Sequence, residues 1–321
     1  MKAIQVDGEK LVWAACESTE CAAGEVKIRI HATAINRADL MQRAGGYPPP
    51  VGASSIMGLE CAGEVIAVGE GVERCAIGDC VCALLAGGGY AEEVIVPAGQ
   101  VLPVPKGYTM VEAAALPEVF ATAYLNLYIE GALQIGERVI VHAGASGVGT
   151  AAIQLLKNSG NPVFVTVGSA DKLQRCIELG ADTGSVRHDG SFVEAVAEWA
   201  GTAGVDVILD PVGAQYLADN FSVLNLGGRL VLIGLMGGAA TEVNLAAVMM
   251  KRARLIGSTL RARPISEKAL VMDGLLKNVW PALERRDIQP IIETQLPIQQ
   301  VEQAHALMAS NNTVGKIVLT V

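Results

Sequence analysis

The sequence predicts an α/β chain of two domains, one mostly β and one built on a doubly wound parallel sheet. Three observations carry that reading. The 321 residues exceed what one hydrophobic core organises comfortably, so the chain divides. Up to about residue 110, short apolar stretches alternate with glycine turns. From about residue 120 the rhythm becomes strand, glycine turn, helix, which specifies parallel strands covered by helices on both faces.

In the first segment VKIRIHAT, GEVIAVGEGV, GDCVCALL and YAEEVIVP read as strands, and VLPVPKG closes the run. In the second, RVIVHA leads into an alanine-rich helix through TAAIQLLKNSG, VFVTVG leads into ADKLQRCIELG, and VDVILDPV and GRLVLIGL continue the alternation. RLIGSTL is an apolar strand expected at a sheet edge, where unpaired backbone invites pairing with a second copy. A long helical stretch, SEKALVMDGLLKNVWPALERRD, follows. PIIETQLPI, a helix over VEQAHALMAS and a last strand, KIVLTV, end the chain. That strand can return to the first domain. The reading therefore assigns residues 1–120 and 262–321 to the β-rich domain and 121–261 to the parallel-sheet domain.

Composition narrows the function. With 24 Lys and Arg against 33 Asp and Glu the net charge is -9, which repels phosphate polymers and anionic lipid, so neither nucleic acid nor a membrane is an expected partner. MKAIQVDGEK lacks the apolar run of a signal peptide, and the longest apolar tract, AAALPEVFATAYLNLYI, is broken by Pro117 and Glu118 and closed by Glu130. A cytoplasmic location is expected. Seven cysteines without framework spacing suit a reducing compartment.

The segment HAGASGVGTAAIQLL follows a strand and opens a helix, so Gly144, Ser146, Gly147 and Gly149 stand where a dinucleotide fold makes its phosphate turn. Ser146 replaces the middle glycine of the strict pattern, and its hydroxyl can donate to phosphate. Cofactor choice turns on the tip of the next strand. There the chain offers Gly168, Ser169 and Lys172 and no carboxylate; Asp171 suits the first turn of a helix. A 2'-phosphate meets no repulsion at such a tip, and Arg187 can supply a second cation, so NADPH is the expected cofactor.

The Glu60-Cys61 pair in MGLECAGEVI raises the question of a catalytic metal. Zinc needs three protein ligands, and His31, His142, His188 and His305 are scattered through the chain. Cys80 and Cys82 alternate along one strand with Cys75 nearby, which fits a buried strand face better than a ligand set. No metal site is expected. No Ser-His-Asp or Cys-His constellation is evident, so hydrolysis has no support.

Taken together, AINRADLMQRAGGYPPPVGAS, MGLECAGEV, LLAGGGYAEEV, AAALPEVFATAY, HAGASGVGTAAIQLL, VGSADKLQ, LIGLMGG, STLRARP and GKIVL carry a resemblance that runs end to end. The chain resembles the zinc-free quinone oxidoreductases, relatives of zeta-crystallin in the medium-chain dehydrogenase/reductase superfamily. It looks nearest to the subgroup named for a proapoptotic human quinone oxidoreductase. The resemblance implies a GroES-like catalytic domain beside a Rossmann domain, and a homodimer joined through the RLIGSTL region. Zinc-dependent members carry a cysteine at the place of Asn36 and a histidine at the place of Leu59. By resemblance Asn36, Asp39 and Tyr47 line the acceptor cleft. Thr122 and Tyr124 then sit by the nicotinamide ribose, Gly147 and Val148 by the pyrophosphate, and Ser169 and Lys172 at the 2'-phosphate. The segments Gly234, Leu235, Met236 through Gly238 and Leu260-Arg261 match those that border nicotinamide and substrate. One departure is that the subgroup has an Asn-Tyr pair where this chain has Val186-Arg187.

The expected chemistry is hydride donation to a quinone, with the Asn36 amide and Tyr47 hydroxyl stabilising the oxyanion and solvent supplying the proton. An enoyl or 2-alkenal reductase needs the same groups and is the nearest rival. A non-catalytic NADPH-binding protein is the rival of another class.

Overall fold

A computed structural model describes residues 1–8 and 10–321. The chain resolves into two compact units, Met1–Ala121 with Leu260–Val321, and Thr122–Thr259. In chain order the elements are β1 (Lys2–Asp7), β2 (Lys10–Ala15), β3 (Glu25–Ala34), α1 (Arg37–Arg43), β4 (Glu60–Val68), β5 (Cys80–Leu84), β6 (Glu93–Pro97), β7 (Val101–Pro103), α2 (Met110–Ala113) and α3 (Pro117–Tyr124). A π-helical turn (Leu125–Glu130) precedes β8 (Val139–His142), α4 (Gly147–Ser159), β9 (Val163–Val167), α5 (Ala170–Leu179), β10 (Thr183–Val186) and α6 (Phe192–Ala200). Then come β11 (Val205–Asp210), α7 (Leu217–Val223), β12 (Leu224–Leu232), α8 (Leu245–Lys251) and β13 (Arg254–Gly257). The chain ends with α9 (Ile265–Asn278), α10 (Trp280–Glu284), β14 (Ile292–Pro297), α11 (Val301–Ala309) and β15 (Lys316–Thr320).

In the first unit β14, β15, β3, β4, β5 and β7 form one sheet in that order, with β6 paired to β3. Alternation along β3 turns Val26, Ile28 and Ile30 into a core with Val65, Val81, Val94 and Val96. The last strand, β15, lies antiparallel to β3 with Val318 opposite Ala34. That pairing brings residue 316 to the level of residues 35 and 36. A second core gathers Ile4, Ile35, Met57, Tyr90, Val301 and Ile317 around α11.

The second unit is a six-stranded parallel sheet in the order β10-β9-β8-β11-β12-β13. Renumbered within the unit this is 3-2-1-4-5-6, the doubly wound order whose direction reverses between β8 and β11. All residues of β8 and β9 are buried, as central parallel strands covered on both faces must be. The apolar strand of RLIGSTL is β13, at the sheet edge.

Two local expectations change. The long helical stretch is two helices, because φ opens to -113° at Val279 and Pro281 has no N–H to bond back into a preceding turn. Cys82 is buried on its strand but Cys80 is exposed, so the two do not share a buried face. Among the described residues no helix is long and apolar enough to cross a membrane.

Candidate active site

The first unit holds a buried polar network where β3, β4, β15 and the starts of α1 and α3 meet. Glu60, the first residue of β4, is fully buried. Its Oε1 accepts from Asn36 Nδ2 at 2.9 Å and faces the Lys316 ammonium at 2.7 Å, while its Oε2 accepts the backbone N–H of Glu118 at 2.9 Å. Glu60 thus places a carboxylate at the N-terminus of α3, where orphan amides and the helix dipole favour an anion. Lys316 is equally committed. Its ammonium also donates to Ile35 O at 2.8 Å and Asn36 Oδ1 at 2.6 Å, so three donors meet three acceptors.

Asp39, in the first turn of α1, is also fully buried. Its carboxylate accepts from the Asn36 N–H at 2.7 Å, the Gly58 N–H at 3.1 Å and the Tyr90 hydroxyl at 3.0 Å. Burial pushes its carboxyl up to about 6, against the pull of those three donors and of Lys316. Gly58 is required here. Its φ is +99°, and a Cβ would lie 2.6 Å from Gly89 Cα and 2.7 Å from Tyr90 Cδ1. Tyr90 in turn meets His305 Nε2 at 3.3 Å; with the phenol donating to Asp39, that nitrogen carries the proton and donates.

This geometry corrects one expectation. Both hydrogens of the Asn36 amide are engaged, with Glu60 and with Ala34 O at 3.3 Å, and its oxygen accepts from Lys316. Asn36 therefore braces the site and is not a spare oxyanion donor. Beside the network lie Tyr47, Arg261 and the carboxyl of Glu118. The Arg261 guanidinium sits 5.2 Å from the Tyr47 ring centroid and clamps three segments, donating to Ala86 O at 2.8 Å, Tyr47 O at 3.2 Å and Gln42 Oε1 at 2.7 Å. Burial raises the Tyr47 phenol, Glu118 adds to that, and Arg261 opposes it.

In the second unit the strands are parallel, so their carboxyl ends share one edge. That edge gathers Ser146, Gly147 and Val148 after β8, Gly168, Ser169 and Lys172 after β9, Arg187 after β10 and Gly234, Leu235 and Met236 after β12. Ser146 caps α4 by accepting the Gly149 N–H at 3.0 Å, which leaves the Gly147 and Val148 amides as first-turn donors without an acceptor in the helix. A Cβ on Gly149 would meet Gly144 O at 2.4 Å and Ala143 O at 2.6 Å, so glycine is what lets the helix approach the turn.

At the tip of β9 a Cβ on the exposed Gly168 would meet nothing within 4 Å. Ser169 caps α5 and Arg187 is tied to the same tip by its N–H to Val167 O at 2.9 Å. The loop after β12 is pinned to the loop after β11 by Met236 N–H to Pro211 O and Gly237 N–H to Val212 O. A turn with open amides at the start of a helix, and open space at the next strand tip, fit the diphosphate of a dinucleotide. Thr122 and Tyr124 lie in α3 within this unit, whereas Leu260 and Arg261 lie in the first unit with Asn36, Asp39 and Tyr47.

Two families match in tandem. Residues 22–106 match the family described as alcohol dehydrogenase GroES-like domain, and residues 147–275 that described as zinc-binding dehydrogenase. The human synaptic vesicle membrane protein VAT-1 homolog is 32% identical, over 92% of this chain and 79% of its own. The chain belongs to the medium-chain dehydrogenase/reductase superfamily. Within that superfamily a rat protein named quinone oxidoreductase is 28% identical, over 92% of this chain and 88% of its own. A mycobacterial member solved with NADPH superposes with a TM-score of 0.88 at 28% identity, covering 100% of both chains.

As a medium-chain dehydrogenase/reductase the chain has a GroES-like domain and a Rossmann domain, as expected from its sequence. Its residues do not fit the metal that the second family description names. Among the described residues no group of three or more His, Cys, Asp or Glu can hold a metal ion, and the carboxylate nearest that role, Glu60, is paired with Lys316. Five members of the first unit's polar cluster escaped the sequence reading in these roles: Glu60, Tyr90, Glu118, His305 and Lys316. The signal available was a charge of each sign inside an apolar strand, Glu60 in ECAGEV and Lys316 in KIVLT.

Proposed function

We propose that this oxidoreductase reduces quinones with NADPH, without zinc, and belongs to the quinone-reductase subgroup its motifs resemble. The observation that carries the cofactor reading is the tip of β9, where Gly168 faces open space, Ser169 caps α5, Lys172 follows in its first turn, the Arg187 backbone is bonded to Val167, and the strand tip itself carries no carboxylate. When bound, NADPH supplies a hydride from its nicotinamide ring. The chain's own part is to hold the pyrophosphate on the Gly147 and Val148 amides and the 2'-phosphate on Ser169, Lys172 and Arg187. Tyr47, half-buried with its proton held tightly, is the hydroxyl that steadies the acceptor oxygen.

The rat quinone oxidoreductase and the mycobacterial NADPH complex support this reading. We also propose a homodimer formed through the exposed face of β13 and α8, where Leu255, Met249 and Met250 are 46%, 71% and 73% exposed. Lys172→Ala tests the cofactor assignment. It should weaken NADPH binding by about 1.5–3 kcal/mol in calorimetry and shift kcat/KM equally, with NADH unaffected. An unchanged preference for NADPH refutes it.

A further inference from the structure

We propose that Glu118 is the acid that delivers a proton to the oxyanion formed when a conjugated carbonyl acceptor is reduced, an assignment that rests on the reductase reading above. Its place is fixed by the backbone. The Glu118 N–H is bonded to Glu60 Oε2 at 2.9 Å, and Pro117 before it sets the entry into α3. Its side chain is different from those of the buried network. Glu60, Lys316, Asn36 and Asp39 are spent on one another, whereas the Glu118 carboxyl, partly exposed, has no hydrogen bond or ion pair among the described residues.

The charges around it come from every side of the cluster. Burial pushes the carboxyl up to about 8, and the Glu60 charge on β4 adds to that. Lys316 on β15 opposes the rise, Asp39 on α1 adds to it, and Arg261 opposes it. Tyr47 and, on α9, Lys268 both feel the Glu118 charge in turn. At neutral pH the group is therefore chiefly a carboxylic acid, a donor with a pKa suited to giving its proton up. Tyr47, whose phenol lies above its ordinary value, gives up its proton less readily than Glu118; it can hold the oxyanion that Glu118 protonates.

The electron and proton count closes. Hydride from the reduced nicotinamide forms the new bond to the acceptor, and the conjugated π pair moves onto the carbonyl oxygen. The Glu118 O–H then breaks as the acceptor O–H forms. Water afterwards returns a proton to the carboxylate. The acceptor is reduced by two electrons and the cofactor is oxidised by two.

Glu118→Gln and Glu118→Asp in the full chain test this, with quinones and enones assayed in parallel. Wild-type kcat/KM for the acceptor should fall as pH rises through about 8. Glu118→Gln should lose about 10²–10⁴-fold at neutral pH and lose that alkaline limb, with NADPH affinity unchanged; Glu118→Asp should recover part of the rate and keep the limb. Infrared difference titration of the cofactor-free protein gives an independent reading. A protonated-carboxyl band should vanish through about pH 8 in the wild type and be missing in Glu118→Gln. A Glu118→Gln protein that keeps the alkaline limb, or a wild type without that band at neutral pH, overturns the assignment. A wild type that binds NADPH but oxidises it with none of the quinones or enones overturns the reductase reading itself, before any variant is compared.

Discussion

Replacing Lys316 by Met removes one ammonium from a site that leaves nothing to take its place. Glu60 is 0% exposed and Lys316 2%, so water cannot solvate the carboxylate left behind. Glu60 keeps Asn36 Nδ2 and the Glu118 N–H, both at 2.9 Å, but loses its counter-ion at 2.7 Å, and Ile35 O and Asn36 Oδ1 lose a donor each. Breaking a buried pair from one side costs about 3–5 kcal/mol, because the remaining charge stays desolvated. Glu60→Gln strands the ammonium in the same way and should cost a similar amount.

The double variant removes both charges, and its loss should be smaller than the sum of the two by at least about 2 kcal/mol. Urea unfolding followed by tryptophan fluorescence in a Trp199→Phe background measures this. Trp13 and Trp280 both lie in the first unit, so the signal reports on the unit that carries the pair. A Lys316→Met protein less than about 1 kcal/mol weaker, or single costs that simply add, would show that the pair is not the hub described.

The remaining expectations concern pH and association. Burial, with Arg43 second, lowers His305 from the ordinary 6.5 to about 4, so the unfolded chain binds the extra proton first and His305 removes stability as pH falls from about 6.5 to about 4. The difference in unfolding free energy between wild type and His305→Gln should therefore climb with pH by about 1.4 kcal/mol per unit in that window, and a flat difference would refute it. Asp39 works in the opposite sense: its raised carboxyl contributes stability that is present at low pH and lost as pH rises towards 6, so measuring the variant difference separates the two. For the proposed dimer, light scattering should show two chains, and Leu255→Lys should give monomer; a wild type that is monomeric at micromolar concentration removes the proposal.

The parallel-sheet unit was legible because its requirements are local. A glycine where a helix must approach a turn lies three residues from the serine that caps that helix, the strand tip without a carboxylate is the end of the very next strand, and each has one physical reason. The polar cluster of the first unit was not legible for the opposite cause. Asn36 reaches Glu60 across 24 residues, Glu118 reaches Glu60 across 58, and Lys316 reaches Asn36 across 280. Only the antiparallel pairing of β15 with β3 closes the last of these, and no spacing rule announces it. Asn36 shows the consequence. Its position near the site was readable from the sequence, but whether its amide was free depended on partners that the fold alone supplies.

Glu60 beside Cys61 invites a metal, and the fold answers with an ammonium. The substitution changes what the carboxylate does to its surroundings. A metal would cancel its charge and hold an open coordination position, whereas Lys316 cancels it only in part, since Glu60 still raises the Glu118 carboxyl while Lys316 opposes the rise. The stability pair and the titrating acid are thus one electrostatic unit. Loss of Lys316 removes an opposing charge and must move Glu118 further upward, so the Lys316→Met protein should carry its alkaline limb to higher pH even as its first unit unfolds more easily. A limb that stayed in place while stability fell would separate the two, and would mean that Glu118 takes its character from burial alone.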